Sequence, residues 1–251
     1  MEEKTLRTLL NALASREIKV EEALSQLRQL PFTEINEAKI DTHRSLRTGM
    51  PEVIFCSGKT TAQVLDIIAE QIARDETVYG TRASETLLQK VKESYPGISV
   101  DTTAHCFWRR SSVWECKSDT RGTVLIVTGG TADMPVAQEA LRTVEILGHP
   151  GKLVADVGVA GIHRLLASLP ALYDASVIIA VAGMEGALPS VVSGMVGCPV
   201  IGVPTDVGYG THLNGLAPLF AMLNSCASGL TVVNINNGFG AAVAAVSMNR
   251  K

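Results

Sequence analysis

The spacing of apolar positions changes character twice along this chain. Over residues 4–29 it is helical: Leu6, Leu9, Leu10 and Leu13 form one stripe, and Val20, Ala23, Leu24 and Leu27 a second, with charged residues on the other faces. This predicts two short helices joined near residues 15–19. Residues 31–50 lose the periodicity, are rich in Arg, Thr and Glu, and read as partly loop. From Pro51 short apolar runs alternate with amphipathic stretches. Residues 53–55 read as strand, 60–73 as a helix with Val64, Ile67, Ile68 and Ile72 on one side, 77–80 as strand, 84–94 as helix and 98–102 as strand. The polar segment 109–121 ends this smaller unit. The predicted division is a helical and small α/β domain over 1–120, followed by a second domain over 121–251.

The second half alternates more regularly. Strands are predicted at 123–128, 152–157, 176–182, 199–203 and 231–234. Helices are predicted at 135–147, from 161 to 167, at 188–196, 216–224 and 238–248. Strands that are apolar throughout are covered on both faces, so the class is α/β, a doubly wound parallel sheet with right-handed crossovers.

Composition sharpens this. The chain has 251 residues, 46% hydrophobic but only 4% aromatic, so its core is aliphatic. A net charge of -3 argues against a nucleic-acid binder. The cysteines, Cys56, Cys106, Cys116, Cys198 and Cys226, are odd in number and match no zinc spacing. The start, Met1-Glu2-Glu3-Lys4, lacks a basic-then-apolar signal, so a cytoplasmic protein with reduced thiols is expected. Region 175–204 is the most apolar, but Glu185, Pro189 and several glycines interrupt it, and no membrane helix is expected.

Ligands of such sheets gather where strands end. After the strand at 176–182, Gly183 and Gly186 bracket Glu185 and let the backbone approach a ligand closely. Burial of Glu185 would suit it to act as a base. Gly129-Gly130-Thr131-Ala132-Asp133 opens a helix whose free N–H groups suit a phosphate; the plain alternative is a tight turn capped by Thr131 or Asp133. It lacks the spaced glycines of a dinucleotide fingerprint. His163-Arg164 follows a glycine loop and offers a guanidinium fork to an anion, or is a solvated helix start. Ser57-Gly58-Lys59-Thr60 ends like a P-loop, but Val53 stands where the first glycine belongs. A capped helix start is the simpler reading, with Lys59 open to a phosphate. Asn236 and Asn237 suit a turn, or amides for a carboxylate or carboxamide. Nothing local activates Cys226, and most cysteines of this kind only pack.

Four stretches resemble the PurE-type aminoimidazole-ribonucleotide carboxylase/mutase domain: 129–133, His163-Arg164, 182–189 and Ile201-Gly202-Val203-Pro204. In that family the first loop and the His-Arg pair hold a ribonucleotide, and a catalytic histidine precedes Leu-Pro. Here Ala187 takes that place. The chain resembles the LarB family from end to end, the carboxylase/hydrolases that start synthesis of the nickel-pincer nucleotide cofactor of lactate racemase. The stretches that carry this are 51–60, 156–164, 183–189, Tyr209-Gly210, Cys226 and 234–238.

The resemblance implies nicotinic acid adenine dinucleotide as substrate, CO2 as co-substrate and Mg2+. The implied products are pyridinium-3,5-biscarboxylic acid mononucleotide and AMP. It places Cys226 as the nucleophile of a transient cysteinyl-pyridine adduct, and the chemistry then asks for a base, for which Glu185 is the candidate. Asp133, beside the phosphate loop, is the candidate catalytic carboxylate and magnesium ligand. Substrate contacts are expected from Gly130, Thr131, His163, Arg164, Gly183, Met184, Asn236 and Asn237, with Lys59 and Arg82 as further phosphate partners. The small-residue helix at 238–248 is compatible with a homo-oligomer such as the octamer of PurE-type domains. No nucleic-acid or membrane partner is expected. The alternatives are a PurE-type carboxylase/mutase, weakened by Ala187, and a non-catalytic nucleotide-binding module.

Overall fold

Short amphipathic segments and buried aliphatic strands resolve into two units in the computed structural model, which describes residues 3–28, 32–35, 38–41, 44, 48–116 and 119–251. The units are Met1–Glu115 and Cys116–Lys251, and each is taken by itself.

The first unit opens with helices α1 (Glu3–Ala14) and α2 (Val20–Arg28), which bury Leu9 and Ala23. The side chain of Leu27, and Met1 and Glu2, lie outside the described residues. Strands β1 (Phe32–Ile35) and β2 (Ala38–Asp41) pair antiparallel within the stretch that reads as partly loop. Strands of four residues are too short for a period to register, so pairing decides them. Of the rest of that stretch, residues 31, 36–37, 42–43 and 45–47 lie outside the described residues.

Four strands then form a mixed sheet in the order β3-β4-β6-β5: β3 (Ile54–Phe55), β4 (Val78–Thr81), β5 (Ser99–Asp101) and β6 (Cys106–Arg109). Helix α3 (Thr61–Ala73) starts at a capping box between Thr60 and Gln63 and buries Val64, Ile67 and Ile68. Helix α4 (Glu85–Ser94) buries Leu87, Leu88 and Val91. The sequence reading did not include β6. Its Phe107 is fully buried across Gly80, where an added Cβ would come within 2.2 Å of the ring.

The second unit is a parallel sheet in the order β11-β10-β9-β7-β8: β7 (Thr123–Thr128), β8 (Gly151–Val154), β9 (Ala175–Ala182), β10 (Val200–Pro204) and β11 (Leu230–Val232). Between and after them run α5 (Met134–Ile146), α6 (Ile162–Ala167), α7 (Leu169–Asp174), α8 (Leu188–Ser193), α9 (Leu216–Leu223) and α10 (Gly238–Met248). The helix expected from 161 is two, because Pro170 cannot donate the backbone bond that would continue α6. The strand order reverses between β7 and β9, the place where α/β sheets open a crevice. Among the described residues no helix is long and apolar enough to cross a membrane.

Asn249, fully buried, fastens the chain end to this sheet. Its Nδ2 donates to the Gly122 carbonyl at 2.8 Å, and its Oδ1 accepts from the Ser176 hydroxyl at 2.7 Å. Asn249→Ala strands the Gly122 carbonyl, at about 1–3 kcal/mol for a buried group left unpaired, while the Ser176 hydroxyl keeps the Thr123 carbonyl at 2.9 Å. A loss of about 2 kcal/mol, seen as a melting temperature about 6 °C lower, is the expected result in a thermal melt.

Candidate active site

The loops leaving β7 to β11 meet at one edge of the sheet, each bonded to a neighbouring strand. Val157 N–H donates to the Thr128 carbonyl, Thr205 N–H to Ala182 and Asn236 N–H to Pro204. Non-glycine residues with left-handed φ recur there: Asp156 (59°), Met184 (50°), Asn236 (56°) and the adjacent pair Leu213 (51°) and Asn214 (53°). Such backbone costs of order 1–3 kcal/mol per residue and persists only where surrounding contacts hold it.

Asp133 is the centre of these contacts. It is 3% exposed; its Oδ1 accepts from the Thr205 hydroxyl at 2.7 Å and its Oδ2 from Gly130 N–H at 2.9 Å. Gly183 N–H bonds the same carboxylate. Burial pushes its pKa above the usual carboxylate value, and these three bonds oppose the shift. One side chain therefore fastens the loops after β7, β9 and β10. Only glycine fits at 183, since a Cβ there would lie 2.2 Å from the Val207 carbonyl oxygen. Asp133, expected from the sequence as a catalytic carboxylate, thus has both oxygens engaged by protein donors. Among the described residues no group of three or more His, Cys, Asp or Glu stands together to hold a metal.

Around this clamp, Gly130 is half-buried and Thr131 is exposed at the start of the turn that leads into α5. Arg164 is half-buried, folds across Gly161 and pairs with Asp156, whose own backbone N–H donates to the Thr128 hydroxyl oxygen at 3.0 Å. His163 is exposed. The guanidinium is thus held at the end of β8, and Asp156 is a site residue that the sequence reading quoted only within a motif.

Met184 and Glu185 are exposed within the single chain. Their loop turns tightly against α9, where a Cβ on Gly186 would come within 2.7 Å of Pro218. Asn236 accepts Asp206 N–H at 3.1 Å, and Asn237 caps α10 by accepting Gly240 N–H at 2.8 Å, so both amide oxygens serve the turn. In the first unit, Lys59 donates to the Phe55 carbonyl at 2.8 Å, and Arg82 is exposed after β4.

Cys226 stands elsewhere. It is exposed in the loop that enters β11, and Gly229 of that loop accepts Val200 N–H at the start of β10. In a parallel sheet, loops entering strands lie at the edge opposite to loops leaving them. Helix α9, eight residues or about 12 Å long, separates the turn at Gly186 from the loop of Cys226. Ser225, next to Cys226, accepts a hydrogen bond at 2.8 Å from the Ser190 hydroxyl of α8, five positions after Glu185. Thr205, which the sequence reading missed, left only the weak signal of a polar residue directly after a buried strand.

Two stretches of the chain match known families. Residues 32–111 match the family model of a LarB/PurE-like N-terminal domain, and residues 123–250 that of AIR carboxylase. An uncharacterized protein of Methanocaldococcus jannaschii is 40% identical over 249 residues, covering 96% of this chain and 95% of its own. The N5-carboxyaminoimidazole ribonucleotide mutase of the same organism is 31% identical over 130 residues, 50% of this chain and 77% of that protein. A crystal structure of a Treponema denticola PurE2 variant aligns over 51% of this chain and 79% of its own, at 22% identity and a TM-score of 0.42.

Proposed function

Because the chain belongs to the LarB family, with a PurE-like carboxylase-related C-terminal domain, we propose that it carboxylates the pyridinium ring of nicotinic acid adenine dinucleotide and cleaves its phosphoanhydride. The observation that carries this reading over ribonucleotide carboxylation is Ala187, at the N-cap of α8, where a methyl group cannot shuttle a proton.

A pyridinium ring is electron-poor and does not attack CO2. The Cys226 thiolate adds to the ring carbon para to nitrogen, forming a C–S bond and a dihydropyridine. Its enamine carbon, at the free meta position, then bonds to CO2. Glu185 takes the proton from that carbon, the C–S bond breaks, and the departing thiolate leaves an aromatic dicarboxylate. Hydrolysis adds water across the phosphoanhydride and gives AMP and the mononucleotide. Arg164 and the N–H groups at the start of the α5 turn are the phosphate partners. No step is assigned to magnesium.

The two reacting residues must meet on one ring. In this reading Cys226 of one copy serves Glu185 of another. An open apolar row supports self-association: Leu213, Leu216, Phe220 and Leu223 are 64%, 39%, 55% and 60% exposed.

Incubating the protein with nicotinic acid adenine dinucleotide, magnesium and bicarbonate is expected to give a carboxylated mononucleotide plus AMP by mass spectrometry. No such product from the wild type sinks the reading. Product from aminoimidazole ribonucleotide instead would favour the PurE-type alternative. Glu185→Gln is expected to slow carboxylation about 100-fold or more while the C–S adduct still forms, because only the proton acceptor is lost. An unchanged rate would remove Glu185 from the mechanism.

A further inference from the structure

Helix α8 directs two hydroxyls at one turn. Ser190 and Ser193 stand three positions apart, on one face of the helix. The Ser190 hydroxyl donates to the Ser225 oxygen at 2.8 Å, and the Ser193 hydroxyl donates to the Ser228 carbonyl at 3.1 Å. A helical serine commonly bonds a carbonyl of its own preceding turn, as Ser247 does in α10 by donating to Val243 at 2.9 Å. These two instead reach a segment 35 positions away.

The turn they hold is built around Cys226. The Ser225 oxygen also accepts Ala227 N–H at 3.2 Å, which closes a turn with Cys226 at its centre. Ser225 N–H donates to the Met222 carbonyl at 3.2 Å and ties the turn to the end of α9. The two α8 tethers fall one residue before the cysteine and two residues after it. Ser193 is buried and Ser190 and Ser225 are half-buried, whereas Cys226 is exposed. Helix α8 is itself fixed, with Leu188, Pro189 and Val192 buried. A turn pinned on both sides leaves the thiol open to approach and holds the backbone beneath it.

We infer that Ser190 and Ser193 are positioning residues for the Cys226 thiol, acting through Ser225 and Ser228. Addition of a thiolate to a ring carbon needs the sulfur aligned at about 3–3.5 Å, and a misplacement of about 1 Å costs about 100-fold in rate. An exposed cysteine in an untethered loop samples many positions. Each tether removes part of that freedom before the ring arrives. The serines themselves move no proton and form no bond to the ring. The inference rests on the carboxylase reading above, in which Cys226 is the nucleophile.

Two readouts on the full-length protein test it. The first needs no substrate: a nitroxide label on Cys226, with Cys116 and Cys198 changed to serine, reports the motion of the turn by electron paramagnetic resonance. Ser190→Ala and Ser193→Ala should each raise the mobile fraction about fivefold, the effect of one hydrogen bond. Ser190→Thr keeps the hydroxyl and should stay within about twofold of the parent. The second is the rate of C–S adduct formation from nicotinic acid adenine dinucleotide, followed by mass spectrometry in a Glu185→Gln background, where the adduct still forms. Both alanine variants should slow it about tenfold, with the half-saturating substrate concentration within about twofold, because alignment is lost and binding is not. The threonine variant should restore the rate. A merely structural contact would lower the melting temperature and leave the adduct rate of the folded protein unchanged. Ser190 is half-buried, so its variant reports even where Ser193→Ala unfolds. Unchanged label motion, an unchanged adduct rate, or no rescue by threonine overturns the inference. If the label is freed as expected but the wild type forms neither adduct nor product, the hold on Cys226 stands and the carboxylase reading fails. If adduct and product form and the serine variants match the wild type, the reverse is true.

Discussion

Cys226→Ala is expected to abolish carboxylated product, with a rate loss on the order of 10,000-fold or more, as when other covalent nucleophiles are removed. Cys226→Ser should fare little better, since an alkoxide is both harder to form and a poorer leaving group than a thiolate. Neither change should disturb folding, because Cys226 is exposed. Trapping a C–S adduct on the wild type by mass spectrometry, and its absence from both variants, checks the covalent step directly. Mixing Cys226→Ala with Glu185→Gln chains then tests the arrangement across copies. Activity should return, because some sites regain an intact cysteine from one chain and an intact glutamate from another. No recovery in exchanged oligomers would place both residues of a site on one chain. Full activity of Cys226→Ala alone would sink the covalent mechanism.

Asp133→Ala is expected to cost stability and activity together. It leaves the Thr205 hydroxyl and the N–H groups of Gly130 and Gly183 without their acceptor in a buried place. At about 1–3 kcal/mol for each stranded group, less the relief of no longer burying a charge, the net loss is about 3–5 kcal/mol. That corresponds to a melting temperature lower by about 10–15 °C. Product formation should fall by more than the unfolded fraction explains, because three site loops lose their common anchor. Thr205→Val, which removes a single bond, should show a smaller loss of both.

The same carboxyl carries a pH signature. Burial holds its folded pKa above the unfolded value, so between the two the native state binds the extra proton. Stability contributed by this group is therefore greatest below the unfolded value, near pH 4, and falls as pH rises through the folded pKa. Urea unfolding of wild type and Asp133→Asn across that range should show the wild type losing ground to the variant as pH rises. The opposite slope would mean that the hydrogen bonds outweigh burial.

Much of the frame was legible in the residues. The strands at 123–128 and 176–182 are buried on both faces, so their apolar runs are continuous and cannot be mistaken for a solvated surface. The helix at 61–73 announced itself through its cap and its stripe. The short segments were less legible. The antiparallel pair at 32–35 and 38–41 and the strand at 106–109 exist through pairing with neighbours, which leaves little trace in a local period.

By itself the sequence determined the α/β class, the succession of strand and helix, and which polar residues follow buried strands, because these depend on neighbours a few positions away. Tertiary structure alone decided what those polar residues do. Asp133 reads as an open acid until Thr205, 72 positions away, is found holding its oxygen. Burial, and the choice of hydrogen-bond partner, are properties of the packed chain, and they determine whether a polar side chain clamps the fold or meets a ligand.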